Sequence, residues 1–299
     1  MTVINTNTAA AVTANAITKN ERAMSQAMER LSTGQRINSA SDDAAGLAIS
    51  SRMTSQINGL NMAVRNTNDA ISMIQTADGA MVEIESMLQR MRELAIQSKT
   101  ETNSSTDRTA LNTEYMALAA EIERVAQNTQ FNGTDILDNT PGSGGSVTFQ
   151  VGANASQTVA VDFGDFTQAS GTFAAFLTGG SAGTTAAVIG GDKSLYDTDL
   201  SGDVTTAYIN TAIGAIDTAI TAVNSQRATF GASINRLEYT ADNLASVSQN
   251  TSASRSRVMD ADYASETTEL ARTQIIQQAA TAMLSQANQQ AQSVLALLK

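Results

Sequence analysis

The side chains of this sequence that could do chemistry are two close pairs of carboxylates, Asp42/Asp43 and Asp260/Asp262. Either pair could hold a metal ion or act as a general acid and base. Neither pair has a basic or imidazole partner nearby in sequence, so we interpret both as helix caps and solvated turns. The chain contains no histidine and no cysteine, which removes histidine base chemistry, thiol nucleophiles and His/Cys metal sites. The sequence therefore predicts no enzyme and no cofactor.

A glycine-rich stretch is the other candidate for chemistry, because closely spaced glycines can cradle a phosphate. It comprises residues 179–183 together with Gly190 and Gly191. No lysine follows it at P-loop spacing, and the flanking segments do not read as a strand followed by a helix. A flexible loop is the better interpretation.

Composition bounds the remaining functions of this 299-residue chain. Only 16% of its residues are charged, and the net charge of −11 comes from scattered acids, which argues against nucleic-acid binding. The N-terminal residues lack a basic segment followed by a continuous apolar one, and no stretch reaches the roughly 18 apolar residues of a membrane span. We expect no membrane insertion and no ordinary cleaved signal peptide.

The element that organises the chain is a long helix predicted from Asp42 to Gln97. Its stripe residues recur at almost entirely alternating steps of four and three, the spacing of one face of a coiled-coil helix. They are Met53, Ile57, Leu60, Val64, Thr67, Ile71, Ile74, Asp78, Met81, Ile84, Leu88, Met91 and Ala95. At about 1.5 Å per residue this helix would be roughly 80 Å long, so it needs partner helices.

Four further helices are predicted. A weak heptad precedes the long helix at Val3, Asn7, Ala10, Ala14, Ile17, Glu21, Met24, Met28 and Leu31, and a third helix carries Leu111, Tyr115, Leu118, Ile122 and Val125. A second long heptad runs through Ile209, Ile213, Ile216, Ile220, Val223, Arg227, Phe230, Ile234, Leu237, Ala241 and Leu244. After a polar break at 246–257, the last helix carries Ile276, Ala280, Met283, Ala287, Ala291, Val294 and Leu298.

Between the long helices lies a segment of different composition, which begins at Pro141, the only proline. Val147, Phe149 and Val151 alternate with polar residues, and residues 159–163 repeat that pattern after a turn, which indicates a β-hairpin. The fold class is therefore mainly α: a long antiparallel coiled-coil rod with terminal helices, plus a small β-rich inserted domain.

The terminal helices bear apolar side chains that a two-helix rod cannot obviously cover. Each would contribute about 1.5 to 3 kcal/mol if it were buried, and isolated helices of this composition are weak. We therefore expect self-association through these stripes. The predicted polymerisation residues are Val3, Ile17, Met24, Leu31, Met283, Val294 and Leu298.

Several motifs resemble the landmarks of bacterial flagellins. They are residues 31–49 (LSTGQRINSASDDAAGLAI), 129–133 (TQFNG), 260–264 (DADYA) and 293–298 (SVLALL). The resemblance covers roughly residues 1–138 and 205–299. It implies an extracellular structural subunit that polymerises through its terminal helices into the flagellar filament used for motility. It also implies an export chaperone, the flagellar secretion apparatus, and cap and hook-junction proteins as partners.

With this resemblance the chain divides into five parts. Residues 1–41 form an N-terminal filament-core helix and spoke, 42–139 the N-terminal rod helices and hairpin, 140–204 a variable β-rich outer domain, 205–250 the C-terminal rod helix, and 251–299 the C-terminal filament-core helix. Three alternatives stay open: a hook–filament junction protein, a chemoreceptor signalling hairpin, and a surface glycan-binding homologue. The full matches at 38–49 and 260–264 favour the filament subunit.

A partner outside the bacterium is also implied. Residues 89–97 (QRMRELAIQ) resemble the flagellin surface that a vertebrate Toll-like receptor engages, and Glu114 lies where the family adds a contact. Arg90 and Leu94 are four residues apart and are expected to share an exposed helix face, while Leu88 and Met91 point inward. An ordinary solvated face, or a surface used only for subunit packing, is the alternative. The predicted immune-receptor contacts are Arg90, Leu94 and Glu114.

Overall fold

The computed structural model describes residues 7–167 and 206–296, with side chains throughout these ranges except at 206–208, 211 and 290–296. The described chain is mainly helical. Its helices are α1 (Thr8–Thr33), α2 (Ala44–Ser98), α3 (Ser105–Asn128), α4 (Thr206–Met259) and α5 (Tyr263–Ala296). Within the described ranges, no helix combines the length and apolar character that a membrane crossing requires. The mainly α fold class is confirmed.

Two compact units divide the chain. One consists of Met1–Asn58 and Ser248–Lys299, and the other of Gly59–Val247. Helices α2 and α4 each contribute residues to both units.

In the first unit, α1 and α5 run antiparallel. The Asn7 amide donates to the Ala287 carbonyl at 3.2 Å, and at the other end the Tyr263 hydroxyl donates to the Leu31 carbonyl at 2.9 Å. Gly34 ends α1 in the left-handed conformation, with φ +70 and its N–H bonded to the Arg30 carbonyl at 2.9 Å. Only glycine adopts that φ without steric cost, so Gly34 determines where α1 ends.

In the second unit, α2, α3 and α4 enclose one apolar core. Its members include Ile74, Met81, Ile84, Leu88 and Met91 of α2, Tyr115 and Ile122 of α3, and Ile216, Val223, Phe230 and Leu237 of α4, all of them fully buried. The predicted stripes face this core from Ile71 to Ala95 and from Ile209 to Leu237, whereas Leu60 and Leu244 belong to a smaller cluster. The two polar members of the α2 stripe are satisfied: Thr67 donates to the Ala63 carbonyl at 2.8 Å, and Asp78 accepts from Arg227 Nε at 3.0 Å.

The predicted β-hairpin is present as β3 (Ser146–Gln150) and β4 (Thr158–Asp162), antiparallel with Thr148 opposite Ala160. A shorter pair, β1 (Gln130–Phe131) and β2 (Thr134–Asp135), follows α3 and turns at Asn132-Gly133. Asn132 has φ +51 and Gly133 has φ +78, which is the geometry that favours this dipeptide in two-residue hairpin turns.

The β3–β4 hairpin belongs to the helical core instead of having a core of its own. Val161, Phe163 and Phe166 are buried in the same cluster as the helices, and the Phe163 ring lies 5.5 Å from the Phe230 ring of α4. The Gln226 amide also donates to the Asp162 carbonyl at 2.6 Å. The described part of the predicted outer domain is thus integral to the second unit.

The predicted helix break at 246–257 is wrong, because α4 continues through it to Met259. This stretch contains no glycine or proline to interrupt a helix. The polar composition of this stretch did not indicate a helix end, because some of its polar side chains make contacts within the first unit. Arg255, for example, donates to the Thr54 hydroxyl at 3.2 Å. The predicted domain boundary at 250–251 therefore falls inside a helix.

Candidate assembly surface

The contact between α1 and α5 mixes apolar and polar side chains. The side of α1 that faces α5 carries Ala10, Thr13, Ile17, Asn20, Met24, Ala27 and Leu31, yet Asn20 and Ala27 are the buried residues of this 26-residue helix. The facing positions on α5 are Glu266, Leu270, Thr273, Gln277, Ala280, Leu284 and Ala287, an unbroken alternation of four and three. Most apolar members of this seam are only half-buried, so the pair gains little from hydrophobic burial.

Hydrogen bonds and one ion pair cross this seam. The Asn20 amide donates to the Thr273 carbonyl at 2.7 Å and to Gln277 Oε1 at 3.1 Å. Arg30 Nη1 lies 3.1 Å from Glu266 Oε1, with side chains 25% and 13% exposed. Such contacts specify which residues face each other while contributing little net stability.

Large apolar side chains lie on the outward faces of the same two helices. The exposed ones are Val12 (69%), Met28 (56%), Ile275 (66%), Ile276 (41%) and Met283 (63%). Ile276 and Met283, seven residues apart, share one side of α5, and exposed apolar side chains that lie together mark sites of association. The arrangement can therefore dock these helices against other apolar surfaces.

The predicted polymerisation residues separate into three groups. Ile17, Met24 and Leu31 are half-buried in the seam, and Met283 is exposed. The Val294 backbone lies in α5, but its side chain is outside the described part, as are Val3 and Leu298 altogether.

Three exposed residues were missed by the sequence analysis. Val12 and Ile275 lie off the heptads that we followed, and Met28 was placed inside the seam. The sequence contained a signal for these residues, because apolar side chains also occur at positions beside the weak heptad stripes.

Three of the four paired carboxylates accept backbone N–H groups, as expected for caps and turns, while Asp260 accepts from the Ser256 hydroxyl. Asp43 accepts the Gly46 N–H at 2.8 Å at the start of α2, and Asp262 accepts the Ala264 N–H at 3.0 Å at the start of α5. The pKa of Asp42 is lowered, first by the Ser39 N–H, then by the Ser39 hydroxyl and the Asn38 N–H. No cluster of three or more potential metal-ligating side chains occurs in the described residues. The glycine-rich stretch at 179–191 lies outside them.

A second surface, in the other unit, contains the predicted receptor contacts. Arg90 Nη1 lies 3.0 Å from Glu93 Oε2, and the Arg90 guanidinium lies 2.9 Å from Glu114 Oε1 of α3. The hydrogen bond that Arg90 donates to Glu93, followed by the one that it donates to Glu114, raises the Arg90 pKa. All three side chains are about half exposed or more. Arg90 and Glu114 are therefore brought together on an accessible face.

Leu94 does not share that face, and this expectation was wrong. Its side chain is 0% exposed and belongs to the apolar core of the second unit, together with Met91 and Ala95. The long helix buries a wider face than a two-residue heptad seam, because α3, α4 and the hairpin all pack on it. A residue four positions from an exposed arginine is therefore drawn into the core.

Comparison with known proteins gives matches at both ends of the chain. Residues 4–141 match the family model described as the bacterial flagellin N-terminal helical region, and residues 213–298 match the bacterial flagellin C-terminal helical region. A flagellin of Halalkalibacterium halodurans is 46% identical over 92% of this chain and 91% of its own length. A flagellin of Bacillus subtilis is 42% identical over 99% of both chains. The crystal structure of Bacillus cereus flagellin is similar at 33% identity, with a TM-score of 0.46, over 60% of this chain and 88% of that one.

Proposed function

This chain belongs to the bacterial flagellin family, and from that premise we propose which of its surfaces join one subunit to the next in the filament. It is a structural protein that polymerises into the extracellular flagellar filament, and it is not an enzyme. Subunits associate through the outward apolar side chains of α1 and α5, together with the predicted contacts Val3, Val294 and Leu298. The filament serves motility.

One observation carries this assignment of the surface: the terminal helix pair exposes Met28, Ile275 and Met283, while polar side chains interrupt its internal seam. Covering each of these side chains would contribute up to about 1.5 to 3 kcal/mol. The three together therefore offer apolar surface that favours assembly, while the polar interruptions of the seam leave the free pair marginal.

The test replaces Met283 by glutamine and measures filament growth from purified monomer by light scattering and electron microscopy. Glutamine keeps the length and helix propensity of methionine but removes the apolar surface, so elongation should slow markedly while the helix content stays normal. Met62→Gln is the matched control, because Met62 is also an exposed helical methionine (48%) but lies in the other unit. Normal elongation by Met283→Gln, or equal loss in both variants, would refute the proposed surface.

We further propose that assembly involves the flagellar export chaperone and secretion apparatus, a cap protein and hook-junction proteins. Family membership supports these partners. Polymerisation itself is tested by truncation: deleting residues 1–31 or 270–299 should leave a soluble, folded rod that does not form filaments, and filaments of normal diameter from either truncation would refute polymerisation through the terminal helices.

We also propose that the free monomer engages a vertebrate Toll-like receptor through Arg90 and Glu114. The supporting observation is that Glu93 and Glu114 hold the Arg90 guanidinium on an accessible face. A pre-positioned arginine is a frequent centre of protein interfaces. Leu94, although predicted as a contact, supports this face from the core side.

The measurement is receptor activation by purified monomer. Arg90→Ala and Glu114→Ala should each weaken activation without lowering the melting temperature appreciably, whereas Leu94→Ala should lower both. Arg124→Ala, another exposed arginine that pairs with a glutamate of its own helix, is the control. Undiminished receptor activation by the Arg90 and Glu114 variants would refute the proposal that these residues contact the receptor.

A further inference from the structure

The segment that connects α1 to α2 caps the C-terminal end of α4. The N–H of Arg36 donates to the Met259 carbonyl at 2.6 Å, and its guanidinium donates to the Val258 carbonyl at 2.8 Å. The last carbonyls of a helix have no partner within it, and a cation close to them interacts favourably with the helix dipole. The end of this 54-residue helix is therefore completed by Arg36, which lies 222 positions before Val258 in the chain.

The same contact also runs in the other direction. Ala261, in the connection from α4 to α5, donates its N–H to the Gly34 carbonyl at 3.0 Å, and Gln35 pairs with Asp260 in an antiparallel β-bridge. Gly34 is the residue at which α1 ends, so the chain leaving α1 and the chain entering α5 are bonded to each other. We call this contact the clasp; it consists of residues 34–37 and 258–261.

Ile37 anchors the clasp on α2. Its side chain is 1% exposed although it lies outside any helix or strand. A Cβ atom added to Gly46, in the first turn of α2, would lie 2.6 Å from Ile37 Cδ1, so the missing Cβ of glycine leaves room for the isoleucine. The clasp therefore holds the first turn of α2 and the last turn of α4, the two helix ends next to which α1 and α5 lie in the chain.

A closed clasp positions both terminal helices at once. With the clasp open, α1 and α5 must each lose their conformational freedom separately, and the pair that they form alone is marginal. Fixing the residue that ends α1 beside the residues that precede α5 removes part of this entropy cost for both helices. Contacts with neighbouring subunits then supply the remaining stabilisation.

We propose that the clasp is open in most free monomers and closes as a subunit joins the filament, so that α1 and α5 become ordered as one unit. Ile37 is the positioning residue of this step. Closure in this sense rests on the proposed function, because contacts of the terminal helices with neighbouring subunits drive it.

The test closes the clasp covalently before assembly. The chain contains no cysteine, and the Cα atoms of residues opposite each other in an antiparallel pair are about 4.5–5.5 Å apart, a separation that a disulfide spans. Gln35→Cys and Asp260→Cys are therefore combined in the full chain, and both positions are exposed. The purified monomer is treated with oxidised glutathione, and intramolecular closure is verified on a non-reducing gel. The same protein after reduction is the matched control.

Elongation from wild-type filament seeds is then measured by light scattering. The disulfide-closed monomer should add to the seeds about threefold faster or more than the reduced monomer, because part of the ordering entropy has been lost before binding. Equal or slower addition by the closed monomer would overturn the proposal. Two thiols that each react with glutathione but never join would also overturn it, since residues 35 and 260 would then not pair.

A second pair of variants tests Ile37. Ile37→Ala removes the anchor and should slow seeded elongation severalfold, whereas Ile49→Ala is the matched control, because Ile49 is an exposed isoleucine (38%) of α2 in the same unit. Adding the 35–260 disulfide to Ile37→Ala should restore growth, a rescue that is not expected if the substitution merely damages the fold. Slow growth that persists after closure, or equal loss in both variants, would contradict the positioning role.

Failure of the clasp and failure of the assembly surface give different results. If closed and reduced monomers add equally fast while Met283→Gln still slows elongation, the clasp has no role in assembly and the proposed surface stands. If the closed monomer adds faster while Met283→Gln elongates normally, the clasp stands and the proposed surface is refuted.

Discussion

Replacing Phe163 by alanine should destabilise the helices of the second unit, although Phe163 follows a strand of the segment that composition assigned to a separate outer domain. Phe163 is 0% exposed and its ring lies 5.5 Å from that of Phe230. Truncating a buried phenylalanine costs about 3 to 5 kcal/mol, since it removes the apolar transfer energy and leaves a cavity. In a unit of this size, 1 kcal/mol corresponds to about 2–4 °C in melting temperature, so the expected decrease is roughly 6–20 °C.

The assay is thermal unfolding of the monomer, monitored by the far-ultraviolet circular dichroism signal of the helices. Phe149→Ala is the matched control, because Phe149 lies on β3 of the same hairpin but is only half-buried. Phe230→Ala and the double variant complete a cycle, in which the coupling between the two rings should be about 0.5 to 1.5 kcal/mol.

A Phe163→Ala variant that melts within a degree or two of Phe149→Ala would refute the reasoning. The hairpin would then be peripheral, as the composition alone suggested. A second test uses an equal-length Gly/Ser replacement. Replacing residues 146–167 removes several core side chains, including Val161, Phe163 and Phe166, and should lower the melting temperature strongly.

Three other predictions concern the second unit. The Tyr115 hydroxyl is buried and has no hydrogen-bond partner within the described residues, so Tyr115→Phe should stabilise the monomer by about 1 kcal/mol in urea unfolding. Burial raises the pKa of Tyr115 above its usual value near 10. Above pH 10 the tyrosine therefore ionises first in the unfolded chain, and the stability of the wild type should fall as the pH rises. The phenylalanine variant should lack this pH-dependent loss. Arg227→Ala removes a partly exposed ion pair with two carboxylates. It should lower the free energy of unfolding by about 1 kcal/mol at low salt and by less at high salt. Arg236→Ala, at an exposed arginine, should change it very little, and equal losses in the two variants would contradict the prediction. Ser104→Ala removes the N-cap of α3 and should cost about 1 kcal/mol, seen as earlier fraying of that helix in hydrogen exchange.

The sequence by itself determined the long helices and the core that they form. Residues such as Ile74, Met81 and Leu88 repeat at the coiled-coil spacing over many turns, and a pattern of that length has one structural solution. The break at Gly34 and the turn at Asn132-Gly133 were equally predictable, because few residues adopt a positive φ. Family membership also followed from local motifs, which need no tertiary information.

Tertiary structure decided the details where neighbouring helix faces are nearly equivalent. Leu94 is buried because α2 packs against several elements at once, and its own helix periodicity cannot reveal how many partners surround it. Phe163 joins the helical core because the hairpin docks on α4, a long-range contact that composition does not encode. The burial of Asn20 and the exposure of Met28 were beyond the sequence for the same physical reason: the stripes of α1 have similar apolar content, and the partners of Asn20 lie on a helix some 250 residues away.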